Sequence, residues 1–170
     1  MTRFPAISWG LLALWLGGCA GYRLGPTNGL PAGSRTVQVN LFQNRTIEPR
    51  LSEAMDRALR KRFQQEGTYR VATHGDADII IYGEILRYDR EAVAFQPKDV
   101  ITPLDYEITI TAHVMAEERA TGRKLVDRVV LGRTTIRIGA DQTSAERMSL
   151  PMLADDFAHN AAALLVDGAW

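Results

Sequence analysis

The sequence is poor in the residues on which most site chemistry is built. It carries one cysteine, so no disulfide can close within the chain and no Cys-x-x-Cys metal or redox pair exists. Its three histidines, His74, His113 and His159, lie far apart. None has a second ligand at the His-x-x-x-His spacing that sets two imidazoles on one helix face. There is no Gly-x-Ser-x-Gly elbow and no glycine loop of the kind that cradles a phosphate. The adjacent acids Glu117-Glu118 and Asp155-Asp156 point apart, so neither forms a convergent acid–base pair. Basic and acidic residues balance at a formal net charge of +0, whereas nucleic-acid binding calls for a clustered basic face. These shortages argue against an enzyme, a metal centre, a bound cofactor and a nucleic-acid partner. Long apolar runs are equally scarce: the one strongly apolar stretch, Ile7 to Leu16, is too short to cross a hydrocarbon core of ~30 Å as a helix.

What is present begins at that stretch. Arg3 supplies a positive n-region, Ile7 to Leu16 an h-region, and Gly17-Gly18 the small residues before Cys19. This is the grammar of a secretory signal. Leu16-Gly17-Gly18-Cys19 resembles a bacterial lipobox. In lipoproteins of that kind the cysteine thiol takes a diacylglycerol, the peptide is cut before the cysteine, and the new amino group is acylated. Residues 1–18 are therefore expected to be removed on export, and Cys19 to be the lipid-attachment site that tethers the chain to a membrane. Residues 19–35 are rich in glycine and proline and are expected to be a flexible linker. Residues 36–170 are the usual size of one domain. A hydrophobic content of 46% is enough for a real core.

Periodicity orders that domain. Thr36 to Phe42 alternates, with Val37, Val39 and Leu41 on one face, as in a half-buried strand. Gln43 to Thr46 reads as a turn. Pro49 suits the opening of a helix, where its missing N–H costs nothing. Leu51, Ala54, Met55, Ala58, Leu59 and Phe63 then form one apolar stripe, and Gly67 is the natural stop. Arg57, Arg60, Lys61 and Arg62 make a cationic run on the polar side of this helix. Tyr69 to Val71 reads as a short strand and Asp78 to Phe95 as a longer one, whose charged part Arg87 to Glu91 must project into water. Gln96 to Pro103 is expected to be a loop. Leu104 to Ala116 alternates most cleanly, with Glu107, Thr109, Thr111 and His113 opposite its apolar face. Ala120 to Arg123 reads as a hairpin turn, and Lys124 to Ile138 as the return strand. Leu150, Leu153, Ala154, Phe157, Ala161, Leu164 and Leu165 stripe a last helix, with Pro151 inside it or near its start. A strand–helix–strand crossover sets its strands parallel, and hairpins set theirs antiparallel. The expected fold is α+β: a two-layer sandwich in which two helices cover one face of a four-stranded mixed sheet.

Several of these segments together resemble the LptE family of lipopolysaccharide-assembly lipoproteins. Cys19-Ala20-Gly21-Tyr22-Arg23-Leu24 is similar to the start of the mature protein in that family. Val39-Asn40-Leu41-Phe42-Gln43-Asn44-Arg45-Thr46, followed by Ile47-Glu48-Pro49 and an amphipathic helix, resembles its Phe-x-Asn-x-Thr segment. Asp76-Ala77-Asp78-Ile79 with Gly83-Glu84-Ile85 resembles its second strand, and Pro103-Leu104-Asp105-Tyr106-Glu107 the opening of its third. The resemblance covers residues 19–168.

The resemblance implies an outer-membrane lipoprotein on the periplasmic side that plugs an LptD-like β-barrel. With that barrel it passes lipopolysaccharide to the outer leaflet, without covalent chemistry or a cofactor. Ala20 after the cysteine, rather than an aspartate, agrees with outer-membrane sorting. Lipopolysaccharide carries phosphates, so a contact site needs exposed cations near a loop or strand end. By position these are Lys98 and Arg137, beside apolar Phe95, Val100 and Ile101. The alternative is a lipoprotein subunit of another envelope or secretion complex, with a TolB-like or curli-assembly-like α/β module. An envelope hydrolase is a third reading, and no motif supports it.

Overall fold

A computed structural model of the chain describes residues 33–73, 75–137 and 142–167. The expected signal peptide, the expected lipid-attachment site Cys19, most of the linker and His74 lie outside the described residues. Within them the elements run β1 (Arg35–Val39), β2 (Gln43–Asn44), α1 (Leu51–Glu66), β3 (Tyr69–Val71), β4 (Ile79–Gln96), β5 (Asp99–Glu118), β6 (Arg123–Arg137) and α2 (Gln142–Val166). Strand order is β3-β1-β4-β5-β6, with β2 also paired to β4. β1 is parallel to β3 and β4, β2 is parallel to β4, and the β4–β5 and β5–β6 pairs are antiparallel. The α+β class and mixed sheet are as the sequence predicts. The strand count is not: the sheet has six strands rather than four.

One of the two extra strands has its physical origin at Phe42. Simple alternation would bury Leu41 with Val37 and Val39, yet Leu41 is 63% exposed and Phe42 is buried. Phe42 seats over Gly83 of β4, where a Cβ would stand 2.6 Å from Phe42 Cε1. Only glycine leaves that space. To deliver Phe42 there the first strand ends at Val39, the chain steps by one residue, and Gln43–Asn44 rejoins β4 as β2. Tyr69–Val71 adds the other strand on the far side of β1. Its Tyr69 hydroxyl donates to Leu165 O of α2 at 3.2 Å.

α1 ends as expected, with Gly67 at φ 67° and its N–H bonded to Phe63 O at 3.3 Å. Pro49 lies just ahead of the helix, whose N-cap is Arg50. The cationic run on α1 is neutralised in place. Arg57 faces Glu53 at 4.0 Å, Arg60 faces Asp56 at 3.0 Å, Lys61 reaches Asp155 of α2 at 3.0 Å, and Arg62 pairs with Glu66. α2 runs through Pro151 as one helix. Both helices share one core with the sheet: Leu51, Met55, Leu59, Phe63, Leu153 and Phe157 are fully buried against Val37, Ile79, Ile85, Ile108 and Ile110. Leu164 is only partly buried. No described element covers the opposite face. There Glu107, Thr109 and His113 are half-exposed, while Thr111, flanked by Arg87 and Leu131 in the ladder, is buried.

Four register shifts interrupt the long β4–β5 hairpin, after Ile85, Ala92, Ala94 and Phe95. Ile85 pairs with Ala112 and Arg87 with Thr111, so Leu86 is an extra residue. This bulge reverses which face the side chains from Arg87 to Ala92 take, until Val93 makes a second bulge. Arg87, Asp89 and Glu91 therefore join the open face, while Arg90 turns to the helix side. There it pairs with Glu146 of α2 and its guanidinium lies 5.2 Å from the Tyr106 ring centre. At the tip, the expected loop Gln96 to Pro103 contracts to a turn at Pro97-Lys98, with Gln96 opposite Asp99. The Asp99 carboxylate accepts the N–H of Ile101 at 2.9 Å and the Thr102 hydroxyl at 2.6 Å. That local knot lets Pro103, which has no N–H, re-enter the ladder opposite Phe95.

Candidate functional site

The hairpin places the two predicted contact residues at one end of the sheet. Lys98 sits at the tip in the left-handed region, φ 69°, a conformation few side-chain-bearing residues adopt. It is exposed and makes no ion pair among the described residues. Arg137 ends β6, directly opposite Asp105. It is not an unpartnered cation, as loop position alone would suggest. Its Nε donates to Asp105 Oδ1 at 2.8 Å and its Nη2 to Oδ2 at 3.1 Å. The Arg137 side chain is 71% exposed and that of Asp105 18%. The carboxylate thus braces the guanidinium from the sheet side and leaves its Nη1 edge facing water. The Arg137 hydrogen bonds hold the Asp105 carboxyl below the usual carboxylate range, and Asp105 raises Arg137 in turn. At the tip, the Thr102 hydroxyl and the N–H groups of Ile101 and Thr102 likewise lower Asp99.

Apolar side chains accompany these charges. Phe95 is 44% and Ile101 85% exposed. This end of the sheet therefore offers an unpaired ammonium at the hairpin tip, a braced guanidinium at the end of β6 and exposed hydrocarbon at Phe95 and Ile101. That set can meet an amphiphile that combines anionic oxygens with acyl chains.

The open sheet face carries a second polar system that residue order could not reveal. Arg45 bonds Glu84 at 3.0 Å. Glu84 is opposite His113, whose Nε2 lies 2.6 Å from Asp127 Oδ1. Lys124 Nζ reaches the other oxygen of Asp127 at 2.8 Å. Asp127 is lowered, first by Lys124 and then by His113. The Tyr82 hydroxyl donates to Glu117 at 3.1 Å, and desolvation is the main cause raising it. His113 is therefore paired on the open face. Among the described residues no three or more His, Cys, Asp or Glu side chains converge on a metal position. None of the described helices is long and apolar enough to cross a membrane. The sequence reading missed Asp105 as the partner of Arg137, because cross-strand register is invisible to local pattern.

Comparison with known proteins now bears on this geometry. Among solved structures, a protein of Xanthomonas campestris superposes at TM-score 0.59 with 12% identity, covering 85% of this chain and 92% of its own. Protein CT253 of Chlamydia trachomatis gives 0.58 at 8% identity, with 78% and 96% covered. A Caulobacter crescentus protein described as a lipoprotein gives 0.51 at 10% identity, with 75% and 90% covered. At such identities these likenesses speak for the fold alone. None of the curated proteins matches the sequence. The family model for LptE, lipopolysaccharide-assembly, matches residues 34–166, from just before β1 to the last residue of α2. The chain belongs to the LptE family.

Proposed function

We propose that this chain is an outer-membrane lipoprotein, anchored through Cys19, that plugs an LptD-like β-barrel and assists transfer of lipopolysaccharide to the outer leaflet. The observation that carries the reading is the family match across the whole described domain. The Leu16-Gly17-Gly18-Cys19 arrangement supports the anchor. A thioether-linked diacylglycerol plus an N-acyl chain buries many methylenes at ~0.8 kcal/mol each, enough for durable attachment. The uncovered, polar sheet face suits a water-filled barrel lumen, whose walls are polar too. The sheet end that carries Lys98, Arg137, Phe95 and Ile101 suits lipopolysaccharide.

Detergent extraction of membranes followed by affinity capture of the tagged chain tests the plug. Recovery of an outer-membrane β-barrel in stoichiometric amount is the expected result. Capture of only periplasmic or inner-membrane proteins would instead favour the accessory-subunit reading. Intact mass tests the anchor, since a mature chain starting at Cys19 must carry the mass of its acyl groups.

A further inference from the structure

The edges of this sheet are not treated alike. β3 closes one side with only Tyr69–Val71. The β6 edge is blocked by α2, whose Asp156 accepts the Arg133 N–H at 2.8 Å and whose Asn160 Nδ2 donates to Leu131 O at 2.9 Å. Those are the outward backbone groups an added strand would need. β4 is different. β1 and β2 cover its outer side only as far as Ile85, where the Arg45 N–H bonds Ile85 O at 3.0 Å. From Leu86 to Gln96 no described strand pairs with it on that side, and the regular run between the Leu86 and Val93 bulges, Arg87 to Ala92, gives an edge roughly 20 Å long at ~3.3 Å per residue.

The side chains beside that edge are not neutral. Asp89 and Glu91 share the open face, and Glu91 stands directly opposite Glu107 of β5. Like charges so placed destabilise a sheet. None of the three acids has an ion pair or hydrogen bond among the described residues. We propose that Leu86–Gln96 of β4 is a strand-addition site for an extended segment of a partner protein that places lysine or arginine beside Asp89 and Glu91. Backbone pairing supplies the ladder, and the alternating cations relieve the Glu91–Glu107 repulsion.

A second copy of this chain is the competing occupant, and the experiment separates it by its dependence on protein concentration. Antiparallel self-pairing about Asp89 sets that acid against itself but Arg87 against Glu91 on both sides, whereas pairing about Arg90 sets Asp89 against Glu91 twice. Pairing centred nearer Ile85 collides with β2. The proposal does not rest on lipopolysaccharide or on a barrel partner, and its test uses neither.

The mature chain from residue 19, carrying Cys19→Ser so that no acyl group brings copies together, is mixed with a synthetic peptide alternating lysine and valine. A glutamate–valine peptide serves in parallel. Amide hydrogen exchange is followed along the chain. Residues 86–96 should slow with the lysine peptide and not with the glutamate peptide. Asp89→Lys with Glu91→Lys, both at exposed positions, should weaken binding of the lysine peptide about tenfold or more and admit the glutamate peptide, with the melting transition retained. Three results would overturn the proposal. One is no slowing in this segment with the lysine peptide. Another is equal slowing with both peptides. The third is slowing that grows with protein concentration alone, which would make a second copy the occupant.

Discussion

Gly132 of β6 lies directly beneath Phe157 of α2. A Cβ on the glycine would stand 2.6 Å from Phe157 Cβ and 2.9 Å from Leu153 O. Both obstacles belong to the helix backbone or its first side-chain atom, so neither can swing away. The glycine therefore sets how closely α2 approaches the sheet. Gly132→Ala should cost about 1–3 kcal/mol by overpacking, read as a lower urea midpoint with an unchanged slope. An unaltered midpoint would mean that α2 does not rest on this strand.

Phe157 itself is fully buried and meets Phe42 edge-on at 6.1 Å between ring centres. Phe157→Ala should destabilise by about 3–5 kcal/mol, and Leu59→Ala by about 2–5 kcal/mol. Leu164, only partly buried, should lose distinctly less on truncation. Thermal melts of the three variants rank them, and a Leu164→Ala loss equal to that of Phe157→Ala would refute the burial order.

Much of this architecture is legible in the residues. The alternation through Ile108, Ile110, Ala112, Val114 and Ala116 of β5 and the stripes of both helices follow directly from periods of two and 3.6. What is not legible depends on partners distant in sequence. Phe42 leaves the alternation because Gly83 offers it a seat; the expected strand Thr36 to Phe42 thus ends at Val39, and Gln43–Asn44, expected as a turn, pairs as β2. The Leu86 bulge sends Arg90 toward α2, which no local pattern encodes. At the candidate site the sequence places Lys98 and Arg137 at one sheet end. Only the register that sets Asp105 opposite Arg137 shows that one of the two is already braced.

Stability should fall at both ends of the pH scale for different reasons. Asp78 is held low chiefly by the Thr36 N–H and hydroxyl, and Asp105 by Arg137. A carboxylate with a depressed folded pKa stabilises above its unfolded value of ~3.9, and that contribution disappears as pH falls through the folded value. Tyr88 runs the other way. Burial is the main cause pushing it up to about 12, so folding favours the neutral phenol. That contribution is fully present below an unfolded pKa of ~10 and is lost as pH rises toward the folded value. Urea midpoints across the pH range should show both limbs. Tyr88→Phe should flatten the alkaline limb and leave the acid one, and an unchanged alkaline limb would remove Tyr88 as its source.

The hairpin tip yields the prediction closest to function. Lys98 has no acid partner among the described residues, whereas Arg137 shares its charge with Asp105. If the tip meets the phosphates of lipopolysaccharide, the unpaired ammonium should contribute more of the salt-sensitive attraction than the braced guanidinium. Lys98→Glu should therefore weaken lipopolysaccharide binding to the purified chain more than Arg137→Gln does, and Lys98→Glu with Arg137→Glu should weaken it most. The double reversal also sets a second carboxylate beside Asp105, so its fold must be checked by the melting transition before its binding is interpreted. Asp105→Asn separates bracing from charge: it frees the guanidinium without removing a cation, and should leave binding equal or stronger. Undiminished binding by a folded Lys98→Glu, Arg137→Glu chain would take both residues out of the lipopolysaccharide site.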